Sequence, residues 1–392
     1  MLTYSRSLNV LVVLVLLWLF AGCGTGRTVV CAAGSGNNCS CGACPVSPGP
    51  EFLYATSSSN GGQILTFTVD HNSGALSVPS STPGPTIASE ITSAQNRFLY
   101  VSSTLPGQID GFSINQTSGA LTQVPGSPFS GSGGSAFFPQ SLVAGSALYT
   151  ISLNGDILGF TIGSNGALTP VTEPTYSAGI GGGLVLGQSN TTPINYFLYA
   201  TGFLNSSGTV SAFQITDPAS GILTPVPGDF TAPAGTLPGS IVFDAVFLTP
   251  FLFVGTGGIN SIAAFSVDAT TGVLTPVSGS PFGSPDLSGP LALNSAQNVL
   301  YQSNFPEGTI SAYSIASTGV LTPVNGSPFS VGGRPTSFVV TGDNYLYASL
   351  LASNTIAGFS ISIADGSLTP LPGSPFPAKG AQLLSVVQIP PP

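Results

Sequence analysis

Charged side chains are scarce enough in this chain to be followed one at a time. Its 392 residues include 5 Lys or Arg, 14 Asp or Glu and a single His, so only 5% of the chain is charged. Ordinary soluble domains carry about a quarter. Acid–base chemistry needs a carboxylate or imidazole beside a donor that stabilises developing charge. The most suggestive set is cationic: Arg334 in Gly332-Gly333-Arg334-Pro335 and Lys379 in Ala378-Lys379-Gly380. Two cations held together can bind a carboxylate or a sugar acid; two isolated surface cations would serve solubility alone. Glu307, in Asn304-Phe305-Pro306-Glu307-Gly308, is the candidate base, on a loop expected to share their face. Glu90 and Asp244 could line a channel as a base or cation site, or could cap turns. Both are expected at strand exits, on the opposite face from Arg334. His71, in Val69-Asp70-His71-Asn72-Ser73-Gly74, reads as a solvent-exposed turn residue. Asp70, Asp217 and Asp268 precede Ser/Thr-Gly turns, which Asx-type hydrogen bonding explains. No phosphate-cradling loop opens a helix, no His-rich metal motif occurs, and no cofactor is expected.

These residues must be held by a repeat. An aromatic strand, a turn, a second strand with Phe or Tyr, and Gly-x-Leu recur seven times. The glycines are Gly74, Gly119, Gly166, Gly221, Gly272, Gly319 and Gly366, spaced 45 to 55 residues apart. A period of that size marks a repeat architecture. In the unit 290–329, Leu291-Ala292-Leu293, Val299-Leu300-Tyr301-Gln302, Thr309-Ile310-Ser311-Ala312-Tyr313-Ser314-Ile315 and Val320-Leu321-Thr322-Pro323-Val324 read as four strands. The third alternates apolar with small or polar residues, the period of a half-buried strand. Gly, Pro, Asn and Ser join the strands as turns. One such sheet cannot bury both faces alone, whereas seven stacked radially into a ring can. The fold class is therefore all-β, a seven-bladed propeller of four-stranded antiparallel blades. Its aromatic series is expected to pack between blades. The ordered chain begins at a second strand, Phe52, and a spare run follows Phe376. Residues 381–387 are thus expected to insert as the innermost strand of the first blade and close the ring.

Residues 1–22 read as a signal peptide, with Arg6 before an apolar run, 8–20, too short for a comfortable membrane span. Its end, Leu19-Phe20-Ala21-Gly22-Cys23, resembles the lipobox of bacterial lipoproteins; the alternative is an ordinary signal peptide with Cys23 as a bystander. A diacylated Cys23 would supply the two chains that stable anchoring requires. The expected partner is a membrane, through this anchor, and the expected location is the cell envelope outside the cytoplasm. Residues 23–50 form a tether carrying Cys31, Cys39, Cys41 and Cys44. Two disulfides, in any of three pairings, are one reading. A metal site is another, from the CxxC spacing of Cys41 and Cys44, though Cys39 and Cys41 suit no common zinc knuckle. Free thiols are the third. After residue 22 the cations are Arg27, Arg97, Arg334 and Lys379, so nucleic acid is excluded as a partner.

The succession from Leu-Tyr-Val/Ala through Ile-x-x-Phe-x-Ile and Thr-Gly-x-Leu-Thr-Pro-Val to Gly-Ser-Pro-Phe resembles the seven-bladed lactonase-type propellers. These are related to propeller 6-phosphogluconolactonases and to surface proteins with YVTN-type repeats. The resemblance spans residues 51–389 and rests on structural positions. It implies a ring whose enzymes open a lactone with water near the central channel. No catalytic signature of that family matches residue by residue. Residues 51–392 are therefore expected to act mainly as a binding or interaction module for a glycan, an envelope protein or a small ligand. The alternative is a lactone hydrolase.

Overall fold

Residue alternation and turn chemistry account for the local structure. In the strand Thr309–Ile315, Ile310, Ala312 and Tyr313 are buried while Ser314 is exposed. Asn260, Asn298 and Asn354 take φ near +50°, where short polar side chains are tolerated and tight strand connections form. The computed structural model describes residues 49–391, except 105–106, 131–139, 142–145, 153, 172–175, 180–181, 205–206, 229, 232–237, 286–288 and 343. The expected signal peptide, most of the expected tether and the cysteines Cys23, Cys31, Cys39, Cys41 and Cys44 lie outside the described residues.

Seven antiparallel sheets follow one another along the chain. Blades 1 to 7 are numbered by their second strands: Glu51–Ser57, Phe98–Thr104, Ala147–Ile151, Tyr196–Leu204, Phe251–Thr256, Val299–Asn304 and Tyr345–Leu350. Inside each second strand lies an innermost strand. For blades 2 to 7 these are Ala88–Ala94, Gln140–Ser141, Leu184–Gln188, Pro238–Asp244, Leu291–Asn294 and Pro335–Val340. Blade 1 takes its innermost strand from the far end of the chain. Ala381–Gln388 pairs antiparallel with Glu51–Ser57, from Glu51 opposite Gln388 to Ser57 opposite Ala381. The expected closure is therefore present, and Ile389 extends it by donating to the Pro50 carbonyl at 2.9 Å.

The fourth strand departs in detail from a simple meander. In blades 2 to 7 it is broken into two short pieces that both pair with the third strand. In blade 6 these are Leu321–Pro323 and Phe329–Ser330, both against Thr309–Ile315. The Ser327 hydroxyl oxygen caps the gap by accepting the Ala312 N–H at 2.9 Å. In blades 2, 5, 6 and 7 the gap holds a Ser-Pro, and proline has no N–H to give to a ladder.

Seven buried apolar clusters fill the seams between neighbouring blades. The seam between blades 7 and 1 joins Tyr345, Tyr347 and Ile356 to Leu53, Ala55 and Phe67, so closure buries as fully as any other contact. The aromatic series packs between blades, as its spacing implies, and the tyrosines do more than pack. The hydroxyls of Tyr54, Tyr100, Tyr149, Tyr199 and Tyr301 donate to the carbonyls of Gly119, Gly166, Gly221, Gly272 and Gly366, each in the following blade. Tyr347 donates to Gly74 and completes the ring. Burial pushes the tyrosine pKa values upward, which keeps these groups neutral donors. The two recurring letters of the repeat, aromatic and glycine, are thus each other's partners. Gly119 also needs its lack of a side chain: φ is +70°, and a Cβ would meet the Phe52 ring at 2.5 Å.

Blade 5 alone breaks this chain of hydrogen bonds, because Phe253 occupies the tyrosine position. Phe253→Tyr should place a hydroxyl by the Gly319 carbonyl and stabilise the ring by about 1 kcal/mol. Calorimetry is expected to show a melting temperature higher by roughly 1–2 °C. A lower melting temperature would show that this seam lacks room for the hydroxyl.

Candidate functional site

The innermost strands wall a central channel, and their composition sets what it can hold. Paired half-buried residues recur along them: Thr92 and Ser93, Val185 and Leu186, Val242 and Phe243, Ala292 and Leu293, Val339 and Val340. Towards the start of these strands the wall becomes polar, with Ser240, Thr336, Ser337, Gln382 and Glu90. Several of these groups stitch neighbouring blades. Ser240 Oγ accepts the Leu291 N–H at 2.8 Å, Ser337 Oγ accepts the Leu384 N–H at 3.2 Å, and Thr336 Oγ1 donates to the Gln382 carbonyl at 3.2 Å.

Glu90 occupies the place of those serines. Ile91, Ile241 and Phe338 pair with equivalent second-strand residues Val101, Val254 and Ala348, so Glu90 corresponds to Ser240 and Ser337. It therefore sits near the start of its strand, three residues further in than the position of Arg334 in blade 7. The expectation that Glu90 lies on the face opposite Arg334 is wrong. The strand runs from Ala88 to Ala94, with a bulge between Ala88 and Glu90, so the acid is at its beginning. Ile91-Thr92-Ser93-Ala94 has too little apolar alternation to reveal that continuation in sequence. Glu90 keeps some exposed surface along the channel, yet protein surrounds its carboxyl. Desolvation pushes the pKa up to about 7, opposed by the Ile91 N–H that Oε1 accepts at 3.2 Å. A carboxyl poised there can take up or release a proton at neutral pH.

Asp244 ends its strand on the other face, as its place in the sequence implies, and it is a turn cap. Its Oδ1 accepts the Val246 N–H at 3.0 Å, and the residue is fully buried. Burial pushes its pKa up. Asp70 accepts the Ser73 N–H at 2.8 Å, Asp268 the Thr271 N–H at 2.8 Å, and Asp217 the Ala219 N–H at 2.9 Å. All three are turn-forming acids. His71 is half-buried and not freely solvated: Nε2 lies 3.0 Å from the Gly49 carbonyl oxygen.

The remaining candidates occupy one rim, at the ends where chains enter innermost strands. Arg334 is exposed, with its guanidinium 5.8 Å from the centre of the Phe305 ring. Phe305 is itself 41% exposed, so this is a surface stack rather than a buried contact. Glu307 is exposed at the tip of the turn after Phe305, and the Gly308 carbonyl accepts the Val331 N–H at 3.1 Å, tying that turn to the Arg334 loop. Lys379 is exposed one residue before the equivalent point of the next blade, and its carbonyl accepts the Ser57 hydroxyl at 2.8 Å. Among the described residues, the side chains of Arg334, Lys379 and Glu307 share no hydrogen bond or ion pair with one another. Glu307, Arg334, Lys379 and Glu90 thus come from blades 6, 7, 1 and 2, an arc of four consecutive blades on one side of the channel. No group of three or more His, Cys, Asp or Glu gathers among the described residues to hold a metal ion.

Comparison with known proteins bears on the fold. A protein from Bacteroides uniformis provisionally named 6-phosphogluconolactonase superposes with a TM-score of 0.71 at 19% identity, covering 87% of this chain and all of its own. The periplasmic gluconolactonase of Pseudomonas aeruginosa gives 0.70 at 16% identity, with 87% of this chain and 100% of its own covered. Identities this low speak to architecture alone. No curated protein matches the sequence. The sequence itself matches the family described as lactonase, 7-bladed beta-propeller, over residues 51–381, and the chain belongs to that family.

Proposed function

We propose that this lactonase-family propeller acts mainly as a binding module, displayed outside the cytoplasm by a lipid anchor on Cys23. It takes a small, hydroxyl-rich acid, such as a sugar acid or the acidic end of a glycan, at the channel mouth on the Arg334 side. The observation that carries this reading is the pair of exposed cations on successive blades, above a wall of hydroxyl and aliphatic groups. A carboxylate can accept from Arg334 and Lys379 together, while Thr336, Ser337 and Gln382 stand nearby for hydroxyls. Titration calorimetry of the mature chain with aldonates such as gluconate is the test. Arg334→Ala and Lys379→Ala are each expected to weaken binding about tenfold or more, the loss of one charge-assisted hydrogen bond. Affinity unchanged from the parent in both variants would dismiss the site.

A second reading, lactone hydrolysis, is favoured by one observation: Glu90 is a carboxyl titrating at about 7 in the channel wall of the same arc. In that reading Glu90 takes the proton from attacking water while Arg334 and Lys379 hold the substrate's polar end. Glu307, exposed at the turn tip, is the other candidate for the base.

A further inference from the structure

The seam between blades 5 and 6 breaks the repeat in one consistent direction. In six blades a second-strand leucine faces a third-strand phenylalanine, as Leu53 faces Phe67 and Leu252 faces Phe265; in blade 6 Leu300 faces Tyr313. Two residues along, the other blades carry Ala55, Val101, Thr150, Ala200, Val254 and Ala348 where blade 6 carries Gln302. Cross-strand register puts Leu300 opposite Tyr313, Gln302 opposite Ser311 and Asn304 opposite Thr309, so these side chains share one face. Leu300 and Tyr313 pack with Phe251, Phe253 and Ala264, which identifies it as the face turned to blade 5. Across the seam, Gly255 follows on the Phe253 side of its strand and brings no side chain.

Polar groups sealed here are only partly satisfied. Gln302 and Asn304 are both 0% exposed. Asn304 Nδ2 donates to Thr309 Oγ1 and Ser311 Oγ, each at 2.9 Å, and the Tyr313 hydroxyl interacts with Ser311 and Ser284. Both amide atoms of Gln302 and the Oδ1 of Asn304 meet no protein partner. Native interiors rarely leave buried amides bare; ordered water or a ligand completes them.

We propose that the seam between blades 5 and 6 is a binding pocket for a neutral hydroxylic guest, held by Gln302 and Asn304. Its chemistry follows from the donor and acceptor set. Gln302 Oε1 and Asn304 Oδ1 require a donor and Gln302 Nε2 requires an acceptor, and a hydroxyl group serves as both. The groups that face one another here, Gln302, Asn304, Thr309, Ser311, Tyr313 and Ser284, are all uncharged, so an ionic guest would lose its hydration without compensation. Water supplies this chemistry, and so does a hydroxyl of a neutral sugar. The pocket is separate from the channel mouth and does not depend on the function proposed for it.

Crystals of the mature protein, grown without sugar and then soaked in glucose, test the proposal at a resolution that shows ordered water. Electron density within hydrogen-bond distance of both Gln302 amide atoms is expected. Density unchanged by glucose assigns water as the guest, and replacement by a hexose hydroxyl assigns the sugar. A dry seam, or a Gln302 amide turned onto protein partners, overturns the proposal. Gln302→Val installs the residue found in blades 2 and 5, and its crystals are expected to lack the guest. A guest retained at the same place in that variant would also overturn the role of Gln302. If the variant does not fold, the density in the parent crystals decides alone.

Discussion

A chain ended after Phe376 is expected to lose its cooperative folding and to aggregate. The missing strand, Ala381–Gln388, is the innermost strand of blade 1 and spans the joint between the two ends of the ring. Leu384 and Val387 within it, and Ile389 just beyond, are each no more than 5% exposed. At about 1.5–3 kcal/mol for each such side chain, their burial alone is worth roughly 5–9 kcal/mol. The lost ladder to Glu51–Ser57 adds to this. Whole domains are stable by only about 5–15 kcal/mol, so the remaining seams cannot hold the ring shut. The hydrogen bond from Tyr347 to Gly74 would be left bridging an open joint. Strand Glu51–Ser57 would then present an unpaired edge beside apolar side chains, a template for association between chains. Scanning calorimetry and light scattering make the comparison. A monomeric truncated chain that melts with the parent would show that the ring does not depend on this closure.

Glu90→Gln is expected to remove a fall in stability that the parent shows between pH 4.5 and 7. The native carboxyl titrates at about 7 against an ordinary value of 4.5, so the folded state holds this proton more tightly than the unfolded state. Below pH 4.5 both states are protonated and the residue contributes nothing. As pH rises towards 7 the unfolded state gives up its proton first, and stability drops until the native group ionises as well. The full shift corresponds to about 3 kcal/mol, less what channel water screens. Asp110 and Asp244, whose pKa values burial also raises, act in the same sense from lower pH and are common to both proteins. Asp70, Asp268 and Asp365 are held low by their turn hydrogen bonds, and they matter only in more acid solution. Urea unfolding of parent and variant on either side of this window isolates the difference. Identical pH profiles would mean that the Glu90 carboxyl is solvated like any surface acid. The same variant divides the two functional readings. A base role for Glu90 requires lactone turnover to vanish in Glu90→Gln and persist in Glu307→Gln, and one for Glu307 requires the reverse, whereas a binding module keeps its affinity for aldonates when Arg334 and Lys379 are intact.

Much of this was legible in the residues. The Gly-x-Leu phrase and the Leu-Tyr strands recur because each blade must bury both faces against its neighbours. A spare strand after Phe376, with none before Phe52, announced the closure. The hydroxyl–glycine hydrogen bonds between blades were not legible, because partners some 65 to 73 residues apart, and 273 across the closure, carry no mutual mark in one sequence. The sequence points Glu90 to the wrong face because a bulge and a Ser/Thr-rich strand hide where the innermost strand begins.

The sequence by itself determined the number of blades, their order and the strand that closes them. Periodic burial is a local property, written into every repeat. Only the tertiary structure decided which departures from the repeat share a rim and which are sealed in a seam. Arg334, Lys379, Glu307 and Glu90 come from four blades, and Gln302 is enclosed by what blade 5 sets against it. Such placement depends on strand register and on the facing blade, and neither is encoded at the residue concerned.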